Sequence, residues 1–310
     1  MKLSVVIPAF NEAENIRAVI QELLNTVSKC AAVDATEVIV VDDHSSDDTY
    51  GVVKSFQDKN IRGLRLSRRS GSHTALRAGI AAATGDAVLC ISADGQDNPA
   101  VLQQMIDKLL SGVHTVWAVR ESRNERWLDK MAAQVFYMIL RMFMDGGKNN
   151  IDLSNADFYL LSRRTADAIN ACPERNTSLF GLIVWLGFKQ DSVTYTRRER
   201  LSGKTKWTFR SRLRLAKDWV IAFSGIPLKV ITYVGISTAS LGFLYAIYIF
   251  ICALMKRTTP GWAETVLITL FSSGVLLIMM GLIGEYLWRT LEESRKRPLY
   301  FIEDETTNLE

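Results

Sequence analysis

Two long apolar runs near the carboxyl end constrain the fold of this chain more than any other feature. They span Val230–Leu254 and Val266–Leu287, and Glu285 is the only acidic or basic residue within them. A helix of about 20 apolar residues crosses the hydrocarbon core of a bilayer, so each run is long enough. Two buried core helices of a soluble protein are the alternative, but adjacent runs of this length are typical of membrane proteins. The sequence therefore predicts a transmembrane hairpin.

The basic residues around the hairpin predict its orientation. The turn between the runs holds only Lys256 and Arg257, whereas many more basic residues flank the pair on the other side. Because segments rich in Lys and Arg stay on the cytoplasmic side, both termini are expected in the cytosol, with the hairpin in the cytoplasmic membrane. No signal-peptide pattern begins the chain. The flanking basic residues are Arg210, Arg212, Arg214, Lys217, Lys229, Arg289, Arg295, Lys296 and Arg297.

A basic and aromatic segment, Trp207–Ser224, precedes the first run. On a helix its apolar and basic residues separate onto two faces, which suits a helix lying among lipid headgroups. An amphipathic helix packed on the preceding domain is the alternative. We expect a cytosolic domain at 1–206, an interfacial helix at 207–227, the hairpin at 228–290 and a cytosolic tail at 291–310.

The first half of the chain alternates short apolar strands with helical patterns. Such alternation predicts an α/β fold with a mostly parallel sheet and a site at the carboxyl ends of its strands. We expect Asn11 to cap the first helix. The expected strands are Leu3–Ile7, Glu37–Val41, Leu64–Leu66, Ala87–Ile91 and Thr115–Val119, and the expected helices are Glu12–Val27, one ending near Gln57, Thr74–Ala83 and Pro99–Leu110.

Acidic and basic residues follow several of these strands, and together they suit a ligand with a diphosphate and a divalent metal. Neither a GxGxxG nor a GxxxxGK[ST] motif is present, so a dinucleotide cradle and a P-loop are not expected. The four cysteines are widely spaced, which argues against a zinc cluster or a disulfide framework and fits a reducing compartment. With a formal net charge of only +4, no nucleic-acid partner is expected.

An ordered series of motifs runs through almost the whole chain. It comprises the blocks at 5–12, 40–49, 66–71, 78–86, 93–99, 155–158, 173–175, 200–207, 284–286 and 297–300. In this order the blocks resemble glycosyltransferase family 2, and more narrowly its polyprenyl-phosphate branch, which includes dolichyl-phosphate mannose synthases and bactoprenol glucosyltransferases. The resemblance implies a GT-A-type nucleotide-sugar domain.

The resemblance also implies which residues bind the donor. Asp42 or Asp43 would accept a hydrogen bond from the base, although an aspartate in such a turn can instead cap the next helix. Glu12 is alternatively a first-turn acid that the helix dipole stabilises. The implied nucleotide-sugar contacts are Pro8, Ala9, Glu12, Asp42, Asp43, Arg68 and Asp94.

The block that begins at Ala93 resembles the metal motif of the family, in which oxygen ligands hold Mg²⁺ or Mn²⁺. The resemblance assigns Asp94, as a catalytic residue and ligand, together with Gln96 and Ser92. Ser92 stands where the family has an aspartate, so we expect a lower metal affinity. The alternative for Asp94 is the cap of the helix that begins near Pro99.

On the acceptor side, Arg200, Lys204 and Lys206 would bind the phosphate of a polyprenyl lipid. Nonspecific binding of anionic headgroups is the alternative. Asp157 matches the carboxylate that is often called the catalytic base. Because the second pKa of a phosphate monoester is about 6, the acceptor is already largely deprotonated at neutral pH, and Asp157 would act mainly in positioning.

The sequence thus predicts an inverting transfer of one sugar, UDP-linked by resemblance, to polyprenyl (undecaprenyl) phosphate, supplying a lipid-linked sugar for cell-envelope glycans such as O-antigen. A catalytically impaired nucleotide-sugar-binding protein is the alternative that Ser92 supports. A processive polysaccharide synthase is disfavoured because the chain has neither a QxxRW motif nor further spans. A homo-oligomer is left open.

Overall fold

The computed structural model of the chain describes residues 1–121, 156–175, 177–198, 226–255 and 261–306. The strands are β1 Lys2–Ala9, β2 Ala35–Asp42, β3 Ile61–Leu66, β4 Ala87–Cys90, β5 Thr115–Arg120, β6 Ala156–Ser162, β7 Gln190–Tyr195 and β8 Ile302–Glu305. The helices are α1 Ile16–Val27, α2 Thr49–Lys54, α3 Ser72–Ala82, α4 Leu102–Leu110, α5 Arg163–Asn170, α6 Leu179–Trp185, α7 Ile226–Leu254 and α8 Trp262–Ser294, with a 3₁₀ turn at Pro99–Val101.

Within the described ranges, eight strands form one sheet in the order β7-β5-β6-β4-β1-β2-β3-β8. β1, β2, β3 and β4 are mutually parallel where they pair, and β5 pairs with β7 in parallel. β6 runs antiparallel between β4 and β5, and β8 runs antiparallel along β3. The predicted α/β fold with a mostly parallel sheet is therefore confirmed.

The centre of the sheet is buried on both faces, which explains why its strands read as continuous apolar runs. Val5 and Ile7 of β1 and Val38 and Val40 of β2 are all 0% exposed. On one face, α3 packs directly against β1 because Gly79 carries no side chain. A Cβ at Gly79 would lie 2.2 Å from Cγ1 of Val6, closer than two nonbonded carbon atoms can approach.

The predicted strands agree with β1 to β5 to within a few residues, whereas the start of the first helix was predicted wrongly. α1 begins at Ile16, and Asn15 occupies its N-cap position. Asn11 has a φ of 54°, in the left-handed region, and its side chain bonds to a neighbouring loop instead of capping the helix. The antiparallel strand β8 lies in the segment that was predicted to be a tail.

The chain divides into two compact units. The first comprises Met1–Leu215 with Pro298–Glu310 and carries the sheet; the second is Ala216–Arg297. In the second unit, Val230–Cys252 and Glu264–Ser294 are long and apolar enough to cross a membrane, and no described residue in the most apolar part of either helix is buried. Two helices suited to a membrane were predicted, and they are found. The expected boundaries at 206, 227 and 290 stay predictions.

Candidate functional site

The loops that follow β1 and β2 are hydrogen-bonded to each other at the carboxyl edge of the sheet. The backbone N–H of Asn11 donates to Oγ of Ser45 at 2.9 Å, and Oδ1 of Asn11 accepts from the N–H of Ser46 at 2.9 Å. Asn11 and His44 have φ values of 54° and 57°, a conformation that costs energy for residues other than glycine. The two loops are therefore held in one arrangement by contacts between them.

Asp42 ends β2 with a carboxylate that is 0% exposed. Its Oδ1 accepts from the backbone N–H of Ser45 at 3.1 Å, and its Oδ2 accepts from Nη1 of Arg65 at 3.1 Å. These bonds hold the turn after β2. They differ from the alternative of a helix cap, because α2 begins at Thr49 and its backbone N–H donates to Asp47.

Asp43, the next residue, fixes a different loop. Its Oδ1 accepts from the N–H of Ser70 at 2.6 Å, and its Oδ2 accepts from the N–H of Gly71 at 2.8 Å. Burial raises the pKa of the Asp43 carboxyl, and the two backbone N–H groups offset this only in part. Asp43 therefore anchors the segment between β3 and α3 that carries Arg68. Base recognition by Asp42 or Asp43 stays a prediction.

The remaining donor-side residues lie around the same edge. Ala9 is buried, and its carbonyl accepts from the N–H of Asp43 at 2.9 Å; Pro8 precedes it in β1. Oε2 of Glu12 accepts from Nδ2 of Asn15 at 2.8 Å. Glu12 lies before α1, so it is not a first-turn acid. Arg68 is exposed.

A contact that the sequence did not indicate lies beside them. The guanidinium carbon of Arg69 is 4.0 Å from the centroid of the Phe10 ring. This distance is typical of a cation–π interaction. The contact joins the loop after β1 to the loop after β3, so three strand ends share one polar edge.

Residues 91–98 follow β4 and carry the three predicted metal ligands, so we call them the metal loop. Oγ of Ser92 lies 2.8 Å from Oδ1 of Asp94 and 2.6 Å from Oδ2 of Asp97. Asp94 and Asp97 are 8% and 4% exposed. Oδ1 of Asp94 also accepts from the N–H of Gln96 at 3.1 Å. The alternative role of Asp94 as a helix cap is not found: Asn98 caps the 3₁₀ turn instead, accepting from the N–H of Ala100 at 3.1 Å.

The last residue of β7 and the segment that follows it bond to this loop. The hydroxyl of Tyr195 donates to Oδ1 of Asp97 at 3.1 Å. Nη2 of Arg197 donates to Oε1 of Gln96 at 2.9 Å, and the N–H of Arg198 donates to the carbonyl of Gln96 at 3.0 Å. The metal loop is therefore tied to residues that immediately precede the predicted acceptor loop.

The residues present fit a hard divalent cation. Ser92, Asp94, Gln96 and Asp97 offer only oxygen donors, the class that Mg²⁺ and Mn²⁺ prefer, and such sites usually complete their shell with phosphate oxygens and water. Among the described residues, no cluster of three or more acidic, His or Cys side chains is suited to hold a metal ion. A protein site with so few carboxylates depends on the diphosphate of a ligand to complete the coordination.

A substitution at Ser92 tests this arrangement. Ser92→Asp places a third carboxylate beside Asp94 and Asp97, so we expect the metal-free protein to melt at a lower temperature and Mn²⁺ affinity to rise about tenfold. Ser92→Asn is the matched control, because asparagine has the size of aspartate but no charge. Thermal melts across an Mn²⁺ titration measure both effects, and equal Mn²⁺ affinity in the two variants would contradict the assignment.

On the acceptor side the structure gives the backbone around Asp157. In the ladder between β5 and β6, Ala118 pairs with Phe158 and Val119 pairs with Ala156, so the ladder skips Asp157. This is a β-bulge, a feature that often redirects a side chain beside an active site. Arg200, Lys204 and Lys206, together with the segment Trp207–Ser224, lie outside the described residues.

The sequence did not predict three residues whose side chains bond to residues of the site. Arg65 holds Asp42, Tyr195 holds Asp97, and Arg197 holds Gln96. Arg65 is 23 positions from its partner, and the other two are 98 and 101 positions from theirs. Tyr195 and Arg65 lie within strands whose alternation gives no sign of these partners. No motif marked any of the three.

Comparisons with known proteins show which family the chain resembles. The profile "Glycosyl transferase family 2" matches residues 4–167, and "GtrB C-terminal hairpin" matches residues 226–289. The bactoprenol glucosyl transferase of Shigella phage SfV is 33% identical over 98% of this chain and 99% of its own length. An uncharacterized glycosyltransferase of Synechocystis is 36% identical over 98% and 95%.

A solved structure shares the fold. The crystal structure of mannosyl-3-phosphoglycerate synthase from Rubrobacter xylanophilus superposes with a TM-score of 0.52 at 20% identity, covering 72% of each chain. The family matches span both units, and the strand ends and metal loop lie within residues 4–167. The chain therefore belongs to glycosyltransferase family 2, carries the GtrB C-terminal hairpin, and is a glycosyltransferase.

Proposed function

We propose that this protein transfers one sugar from a UDP-linked donor to polyprenyl (undecaprenyl) phosphate at the cytoplasmic face of the membrane. The observation that carries the proposal is the combination of a polar strand edge and metal loop with the GtrB C-terminal hairpin. Relatives named bactoprenol glucosyl transferases are 32% and 33% identical to this chain over nearly their whole length, which supports the proposal. The product would supply a lipid-linked sugar for modification of cell-envelope glycans, O-antigen among them.

The donor would lie across the ends of β1, β2 and β3. Asp42 or Asp43 would accept the ring N–H of uracil, while Pro8, Ala9 and Glu12 would contact the ribose. Among the described contacts, neither carboxylate uses all of the about four hydrogen bonds that an ionised carboxylate can accept. The contacts between the loops would reduce the conformational entropy that donor binding costs.

Arg68 and the metal loop would hold the diphosphate. Asp94, Gln96 and Ser92 are the ligands of Mg²⁺ or Mn²⁺ in this proposal, and the bound cation would offset the negative charge that develops on the leaving diphosphate. Arg68 is exposed at the same edge and would donate hydrogen bonds to the same group. Gln96 would exchange its hydrogen bond with Arg197 for the cation.

The acceptor would approach from the membrane side, with its phosphate held by Arg200, Lys204 and Lys206. A phosphate oxygen attacks the anomeric carbon, a new C–O bond forms, and the bond from that carbon to the diphosphate breaks with inversion. With a second pKa of about 6, the phosphate needs no strong base at neutral pH. Asp157 would position the acceptor or the sugar, so that the attacking oxygen lies in line with the departing one.

The proposed location is the cytoplasmic membrane, with the catalytic domain and both termini in the cytosol. Two helices are enough to anchor the enzyme beside its lipid acceptor. The excess of Lys and Arg outside the hairpin supports this orientation. Whether the protein forms a homo-oligomer is left open, and the mass of the detergent-solubilised protein would decide it.

One observation favours a second candidate, a nucleotide-sugar-binding protein that has lost turnover. Ser92 replaces an aspartate of the family, and its hydroxyl bonds within the loop. Such a protein would bind UDP and a nucleotide sugar but would form neither a lipid product nor free sugar. The two candidates differ in turnover and not in binding, so a product assay separates them.

The deciding experiment supplies membranes containing the full chain with undecaprenyl phosphate, Mn²⁺ and a panel of UDP- and GDP-sugars. We expect one nucleotide sugar to yield an undecaprenyl-phosphate-linked monosaccharide, identified by mass, with the anomeric configuration inverted. Membranes without the protein are the control. Binding of a nucleotide sugar without any lipid product would favour the second candidate, and transfer to water alone would contradict the lipid acceptor.

A further inference from the structure

The strand that follows the hairpin in sequence completes the edge of the sheet. β8 lies antiparallel to β3, with Leu64 opposite Glu305 and Arg65 opposite Asp304. Two backbone hydrogen bonds bracket the strand: the N–H of Ser67 donates to the carbonyl of Phe301, and the N–H of Thr306 donates to the carbonyl of Gly63, both at 2.9 Å. The last described residues of the chain therefore belong to the same sheet as the donor-side loops.

β8 is an unusual strand because three of its four residues are acidic, a composition with low β-propensity. Each acid lies against a basic side chain of the first unit. Glu303 accepts from Nε of Arg65 at 3.0 Å, Asp304 pairs with Lys54 at 2.5 Å, and Glu305 pairs with Arg62 at 2.7 Å. The three acids are all partly exposed, so each pair contributes little to stability by itself.

Of the three basic partners, Arg65 is the one whose described contacts also include residues of the candidate site. Arg65 uses Nε for Glu303, Nη1 for Oδ2 of Asp42 at 3.1 Å and Nη2 for the carbonyl of Ser45 at 3.3 Å. Asp42 is fully buried, whereas Arg65 is partly exposed. The guanidinium therefore links an acid of β8 to the turn after β2. The same acid also approaches that turn directly, since its Oε2 lies 3.5 Å from Nδ1 of His44.

We infer that Glu303 is a positioning residue for donor binding, acting through Arg65 on the turn from Asp42 to Ser45; the inference rests on the proposed function of that turn in nucleotide recognition. With Glu303 in place, Arg65 is held by two carboxylates and a carbonyl. Without Glu303, the Arg65 side chain can leave the turn for solvent, and the turn becomes less ordered. Binding of the nucleotide must then order the turn, which costs free energy and lowers the affinity.

The test compares Glu303→Gln with Asp304→Asn in the full-length detergent-solubilised protein. Both substitutions remove one negative charge from the same strand, so their general electrostatic effects match. We expect Glu303→Gln to weaken binding of UDP with Mn²⁺ about fivefold, and Asp304→Asn to leave it unchanged. Calorimetric titration measures the affinity.

Steady-state kinetics and a double variant sharpen the distinction. Glu303→Gln should raise the donor KM by the same factor with kcat unchanged, since the uniform binding of donor is what it weakens. In an Arg65→Gln background, Glu303→Gln should weaken UDP binding much less than fivefold, because only the 3.5 Å contact of Glu303 with His44 then remains. A merely structural role would instead lower the melting temperature and leave the KM unchanged.

Equal UDP affinity in Glu303→Gln, Asp304→Asn and the unmodified protein would overturn the inference while leaving the proposed function intact. A fivefold loss that persists in the Arg65→Gln background would also overturn it, because the path through Arg65 would then be wrong. Failure of the unmodified protein to bind any nucleotide would instead refute the proposed function and this inference with it.

Discussion

Replacing Asp94 with asparagine is expected to lower kcat/KM at least about 100-fold and to abolish the Mn²⁺ dependence of UDP binding. Asparagine has the same shape, and its Oδ1 can still accept the hydrogen bond from the N–H of Gln96. The loop should therefore keep its fold. The substitution removes only the negative charge. Because Ser92 and Gln96 are neutral, Asp94 is the only charged residue among the three proposed ligands.

Transfer to undecaprenyl phosphate and calorimetric titration of UDP with and without Mn²⁺ measure the two effects. Asp107→Asn is the matched control, because Asp107 is exposed on α4 and, among the described contacts, its side chain bonds only to Gln103. An Asp94→Asn protein that melts normally and keeps its full turnover would remove Asp94 from the catalytic assignment.

The second large effect is expected at Asp157, where asparagine should lower kcat about 100-fold and leave UDP affinity unchanged. The β-bulge between β5 and β6 singles out this position in the backbone. Because the acceptor phosphate is ionised above a pH of about 6, the loss should reflect poorer positioning and not a missing base. Activity of both proteins should therefore fall together as the pH drops below about 6.

Single-turnover transfer across pH 5 to 9 is the measurement, and Asp167→Asn, at an exposed position of α5, is the matched control. A variant that regains activity at high pH would indicate that Asp157 removes a proton from the acceptor. Unchanged turnover with intact substrate binding would remove the residue from the site altogether.

The parallel strands could be predicted because a strand that is buried on both faces consists of a continuous run of apolar residues. Val5 and Val38 belong to runs of apolar residues that no amphipathic helix would carry, and short turns with polar residues end each run. The same sequences place Asp42, Asp43 and Asp94 after strands, so the polar edge was predictable once the strands were expected to be parallel. Helix starts were less predictable, as the left-handed Asn11 shows, since they depend on neighbouring loops.

The antiparallel strands and the contacts within the site could not be predicted. β6 lies between β4 and β5 in the sheet, although β5 precedes it in sequence. β8 is acidic and pairs with β3, whose basic side chains form ion pairs with it. Neither strand has a pattern of its own that names its partner. Pairing depends on which edge remains open after the rest of the sheet has formed.

By itself, the sequence determined the α/β domain, the apolar hairpin and the family motifs, because hydrophobic period, run length and residue type are local properties. Only the tertiary structure decided that Arg65 joins Asp42 to Glu303 and that Tyr195 and Arg197 fasten the metal loop. Arg65 and Glu303 lie 238 positions apart, and a hydrogen bond between them exists only when folding brings β8 against β3. Contacts of this kind leave no local pattern, since their free energy comes from two surfaces meeting and not from either segment alone.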